Sequence, residues 1–213
     1  MLVVAPGAGG EFDFSKSKCT IRIIPCIALD TFSRKKLSPS KNCVRPANQP
    51  EAQPTNLPPT PSYNSSLLAD TIYLGHLKQL HLITMQCAAF RDACILGRVW
   101  LRQRGFTSDF AAGGFGSFEW AILMAYLMKF GGPMGNNVLA PGYSNYQLFK
   151  ATLQYIASRD LVKNPLVCNA DSSVATGGDI PVLMDGQHGL NLFFKMSPWS
   201  YKMVITSSPI HGI

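Results

Sequence analysis

The stretch Trp120–Met128 carries no charge, and every one of its side chains is apolar or aromatic. A helix built from it has no polar face to offer water, so it must be covered on all sides by the rest of the chain. Its flanks fit that reading. Ser117 stands where an N-cap would accept the first free N–H groups, and Glu119 falls in the first turn, where the helix dipole favours a negative charge. Gly131-Gly132-Pro133 follows and cannot continue a helix. The chain has 213 residues, enough to bury roughly 70% of its extended surface and so to enclose such a helix.

The surroundings supply mostly more helix. Tyr73, Leu77 and Leu80 recur at helical spacing and predict a helix over 67–85. A second, over 87–104, places Phe90, Ala93, Cys94, Gly97 and Leu101 on one face. Arg91, Arg98 and Arg102 lie opposite, within about 40° of one another. Ser144 and Gln147 form a capping box that starts a fourth helix, with Phe149, Leu153 and Ile156 as its apolar stripe. Strands are fewer. Thr20–Ile24 is β-branched and stops at Pro25, and a lone strand needs a partner for its backbone. Residues 7–18 read as loop, so that partner is expected N-terminal to residue 1. Pro181–Asp185 and Leu190–Phe194 read as two strands joined by Gly186-Gln187-His188-Gly189. Residues 46–63 hold six prolines and read as an extended linker. The fold class expected is α+β, mainly helical, with no internal repeat.

Charge is spread unevenly. Nineteen Lys and Arg against twelve Asp and Glu give +7, and residues 1–50 alone carry eight basic and three acidic residues. A basic excess favours polyanionic partners. Its carriers are Lys16, Lys18, Arg22, Arg34, Lys35, Lys36, Lys41 and Arg45, around the first strand. They read either as an electrostatic contact surface or as a solvated loop. The six cysteines show neither a C-x-x-C pair nor zinc-type spacing, so reduced thiols are expected. Asn64-Ser65-Ser66 matches a glycosylation pattern, without a secretory signal before it. The longest apolar run falls well short of the roughly 18 residues needed to span a bilayer, so no membrane partner is expected.

Catalytic signatures are sparse. Gly113-Gly114-Phe115-Gly116-Ser117 invites a phosphate-cradling reading, but it lacks the Lys-Ser/Thr of a P-loop and no strand precedes it. The plainer reading is a tight loop that lets Phe115 and Phe118 pack. Glu11 and Asp13 follow Gly9-Gly10 too closely for a two-metal transferase turn. Arg91, Arg98 and Arg102 fit a phosphate groove or a solvated face equally well, or could pair with Asp92 or Asp109. His76, His81, His188 and His211 form no i,i+4 pair and sit near no carboxylate motif. No nucleophile elbow is present.

Several blocks in fixed order carry a more specific signal. They are Ser15–Pro25, Lys41–Arg45, Ala93–Phe106, Gly113–Trp120, Tyr143–Thr152 and Asn191–Tyr201. Together they resemble the Nrap family, nucleolar RNA-associated proteins of the small-subunit processome. The resemblance implies a helical domain like that of poly(A) polymerases and oligoadenylate synthetases, preceded by the end of a nucleotidyltransferase-like domain. The division expected is a remnant over 1–45, a linker over 46–66, and a helical domain with a C-terminal hairpin over 67–213. Val204–Ile213 departs from the family pattern. In active relatives the strand before the proline carries a metal-binding Asp, and here Arg22 occupies that place. A guanidinium repels Mg²⁺ rather than ligating it. The resemblance therefore implies a non-catalytic scaffold in the nucleolus, with no cofactor or metal. Pre-ribosomal RNA and other processome proteins would be its partners. Two alternatives stay open: part of an active RNA nucleotidyltransferase, or a free-standing basic RNA-binding module.

Overall fold

The computed structural model describes residues 2–4, 21–23, 26–28, 31–44, 57–130, 136–168 and 178–208. Its elements are β1 (Leu2–Val4), β2 (Ile21–Ile23), α1 (Pro61–Gln86), α2 (Phe90–Gln103), α3 (Ser117–Leu127), α4 (Asn145–Ser158), β3 (Leu166–Cys168), β4 (Leu183–Asp185), β5 (Leu190–Asn191) and α5 (Pro198–Ser207). This is an α+β chain dominated by helix.

α3 is the centre. Residues Ile122–Leu127 are buried without a break, as is Trp120, and α1, α2 and α4 pack around the helix. Its start differs by one residue from the sequence expectation. The N-cap is Gly116, because the Glu119 carboxylate reaches back to accept the Gly116 N–H at 2.9 Å. Trp120 fixes how closely α2 approaches. A Cβ on Gly97 would overlap the indole nitrogen of Trp120, so only glycine fits there.

α2 ends in a Schellman motif. Gly105 takes φ 76°, its N–H donates to the Arg102 carbonyl, and the Phe106 N–H donates to Leu101. The predicted core face of α2 is found, with Trp100 added and Cys94 half-buried. The capping box of α4 forms in both directions, Gln147 N–H to Ser144 Oγ and Ser144 N–H to Gln147 Oε1.

α1 departs further from expectation. It begins at Pro61 rather than 67, because proline at the first helical position has no N–H to leave unpaired. Its buried face is Asn64, Leu68, Thr71, Ile72, His76 and Ile83, while Leu77 points outward. Of the expected stripe, Tyr73 and Leu80 are half-buried, and three polar residues join the buried face because each finds a hydrogen-bond partner inside.

Among the described residues two small sheets accompany the helices. β1 pairs antiparallel with β2, Val3 opposite Arg22. The first strand therefore finds its partner at Leu2–Val4, within this chain. β4 pairs antiparallel with β5, as the Gly186–Gly189 turn implies, and β3 adds a parallel edge to β4. Asn191 rivets this sheet: its Oδ1 accepts from the Leu183 and Phe193 N–H groups, and its Nδ2 donates to Pro181. Tyr201 of α5, a helix the sequence reading did not contain, accepts the Leu161 N–H at 2.8 Å and donates to the Arg159 carbonyl.

Candidate functional site

The basic segment 31–44 is a folded loop seated on the start of α1. Leu37 is buried beneath it. Asn64, fully buried, donates from Nδ2 to the carbonyls of Ser38 and Lys41 and accepts from Thr60 Oγ1. The Cys43 N–H donates to Thr60 Oγ1, the Thr60 N–H to the Lys41 carbonyl, and the Cys43 thiol to the Lys36 carbonyl. The backbone of Lys36 and Lys41 is thus fastened, and their side chains are left in water. Arg34 reaches across to donate to the Gln187 carbonyl at 3.3 Å, in the turn between β4 and β5. Lys35 is exposed beside it, and residues 31–44 include no Asp or Glu.

The second basic set occupies another element. Arg91, Arg98 and Arg102 are all exposed along the outer face of α2, which also leaves Ile95 and Val99 in water. Among the described residues no carboxylate lies within ion-pair distance of these arginines, Asp92 and Asp109 included. Lys16, Lys18 and Arg45 lie outside the described residues, as do Glu11 and Asp13. Arg22 is placed by its backbone pairing in β2.

Between α1 and the end of β4 lies a cluster that the sequence reading missed. Asp185, at the end of β4, is 3% exposed. Its Oδ2 accepts from His76 Nε2 of α1 at 2.9 Å and from His188 Nδ1 at 2.7 Å. Burial would raise the Asp185 pKa, but these two hydrogen bonds and the charge of the two rings outweigh it, and the carboxyl is held below its ordinary value. The expectation that the histidines lack a carboxylate therefore fails for His76 and His188. His76 and Asp185 lie 109 residues apart, beyond the reach of any motif spacing.

The glycine-rich loop is a packing device. Gly113 and Gly114 take φ 93° and 68°, and a Cβ on Gly114 would collide with the backbone of Lys195. Phe115 packs on Phe193 and Phe118 on Tyr73. The anion position at the start of α3 is filled by the protein's own Glu119, which takes both the Gly116 N–H and the Ser108 hydroxyl. Burial pushes the Cys94 and Cys168 thiols up to about 12, Asp185 adding to the effect at Cys168, so both stay protonated. Among the described residues no group of three or more His, Cys, Asp or Glu is arranged to hold a metal, and no helix is long and apolar enough to cross a membrane.

Comparison with known proteins now adds the lineage. Residues 89–209 match the family described as Nrap protein PAP/OAS-like domain, and residues 1–86 match Nrap protein domain 1. The chain belongs to the Nrap family. U3 small nucleolar RNA-associated protein 22 of Saccharomyces cerevisiae is 37% identical over 211 residues, 91% of this chain and 17% of that protein. The protein of that name in Schizosaccharomyces pombe is 36% identical over 92% of this chain and 17% of its own length. Human nucleolar protein 6 is 32% identical over 87% of this chain and 16% of its own length. The chain thus spans about a sixth of these Nrap relatives. Within it, α1 falls in the first family segment and α2 to α5 in the second.

Proposed function

We propose that this chain is a non-catalytic scaffold of ribosome biogenesis in the nucleolus, which contacts small-subunit pre-ribosomal RNA and other processome proteins. The relatives' names, nucleolar protein and U3 small nucleolar RNA-associated protein, support the compartment and the assembly. The observation that carries the RNA contact is the loop 31–44, with Arg34, Lys35, Lys36 and Lys41 displayed on a fastened backbone without a neighbouring acid in the segment. The arginine face of α2 is a second cationic surface of the same kind, and its interleaved Ile95 and Val99 suit a protein partner better than a phosphate chain. Lys16, Lys18, Arg22 and Arg45 extend the basic first segment.

Scaffolding rather than catalysis is supported by two features. Arg22 stands where active relatives of the superfamily carry a metal-binding Asp. Asp185 and Glu119, the buried carboxylates among the described residues, are both consumed by protein donors.

Filter binding of the 213-residue chain to pre-ribosomal RNA across a salt series tests the reading. Affinity should fall steeply with salt, and charge reversal at Arg34, Lys35, Lys36 and Lys41 should flatten the slope by about one unit for each phosphate no longer neutralised. A folded chain that binds no RNA would sink the RNA-binding proposal.

A further inference from the structure

Between loop 31–44 and the first turns of α1 lies a cleft of about 500 Å³, within the range of clefts that accept a small ligand. Its lining combines Lys36 and Lys41 with two aromatic rings, Phe32 from the loop and Tyr63 from α1. Those rings are 37% and 48% exposed. Leu37 and Leu67 form the apolar floor.

We propose that this cleft takes an unpaired nucleotide of single-stranded RNA, its base stacked on Phe32 or Tyr63 and its phosphates on Lys36 and Lys41. The inference rests on the RNA-contacting reading above and narrows it to one strand and one place. Cations alone serve any polyanion, an acidic peptide included. Exposed rings beside them serve a base, because every base offers a π-face and stacking replaces water on both partners. Inside a duplex the bases are already stacked and their faces covered, so the rings select for unpaired RNA.

The cleft is also preorganised. The carbonyls of Lys36 and Lys41 are engaged by Cys43, Thr60 and Asn64, so little backbone entropy is lost when the side chains bind. The amide of Asn42, the lining residue best suited to read a base edge, is already partly engaged. Its Nδ2 donates to the Pro58 carbonyl and its Oδ1 accepts the Val44 N–H. Stacking on the two rings, which any base can supply, makes recognition tolerant of sequence.

The test is fluorescence anisotropy of the full 213-residue chain with a short labelled oligouridine, a short oligoadenosine and a short RNA duplex. The pair of changes Phe32→Ala and Tyr63→Ala should weaken both single strands about tenfold and leave the duplex unchanged. Phe32→Trp with Tyr63→Phe should restore single-strand affinity. A 2-aminopurine in the strand should lose emission on binding the wild-type chain, and keep it with the alanine pair. The rings are only partly covered and belong to no buried cluster, so the alanine pair should lose some packing but keep the wild-type circular dichroism, which separates lost stacking from lost folding. Unchanged single-strand affinity in the alanine pair overturns the cleft and leaves the cationic surface standing. Equal losses for strand and duplex overturn it likewise. Failure of the wild-type chain to bind any RNA, with or without retention of an acidic peptide, overturns both readings.

Discussion

Two joints hold α1 against the rest of the chain, and they use opposite chemistry. Near the N-terminal end Asn64 grips loop 31–44 through neutral amide hydrogen bonds to Ser38 and Lys41. Halfway along, His76 grips Asp185 through a buried carboxylate shared with His188. A neutral joint responds little to pH, and its loss costs about one unmade hydrogen bond. A charged joint that loses one member leaves the others stranded in low dielectric, which costs more than the joint contributed when whole. The loop that faces the proposed ligand is thus held by the gentler device, and the core by the harsher one.

Breaking the charged joint is expected to have the largest effect. Asp185→Ala strands two ring N–H groups at the end of β4 and should cost about 3–5 kcal/mol, read from the urea midpoint. An Asp185→Ala protein as stable as the wild type would remove the basis for ranking the two joints. Asn64→Ala comes next, at about 1–3 kcal/mol, since the Ser38 carbonyl loses its partner. Hydrogen exchange should speed up in 31–44 while α3 keeps its protection, and even exchange across both would mean that the loop is no separate joint.

Acid sharpens the contrast. The Asp185 pKa is lowered by folding, so its stabilising contribution is present above the unfolded carboxyl value and fades as pH falls through the folded one. The stability gap between wild type and Asp185→Asn should therefore shrink as pH falls below about 4. The Asn64→Ala gap should stay flat across the same range. Matching pH profiles for the two variants would contradict the assignment of charge to one joint. Smallest of all is Arg34→Ala, an exposed position where the change should shift stability by no more than about 0.5 kcal/mol. The salt slope of RNA binding should nonetheless fall by about one.

What the sequence made legible was local. The all-round apolar run of α3, the capping box of Ser144 and Gln147, and the turn Gly186–Gly189 each place their signal within a few residues of the structure they form. What escaped was bonding across distance. Thr20–Ile24 was legible as a strand, but its partner Leu2–Val4 is only three residues long and gave no signal of its own. α1 buries Asn64, Thr71 and His76 among Leu68, Ile72 and Ile83 and exposes Leu77, which blurs the hydrophobic pattern on which a face is read. The basic residues of 31–41 were visible as charge, but their fastening by Asn64 was not. An asparagine inside a helix gives no sign of which carbonyls it will meet.

The route of α1 through the molecule bears on how such a chain can be inherited. The helix belongs by sequence to the segment 1–86, and yet Leu68, Ile72, His76 and Ile83 help to close the interior built by the segment 89–209. The short joint at 87–88 is a border in the family's vocabulary without being a border in space. Recombination there would hand one descendant a helix stripped of most of its apolar cover and the other an opened core. Gene shuffling should therefore have kept the two segments together, and lineages that vary His76 should vary Asp185 in step.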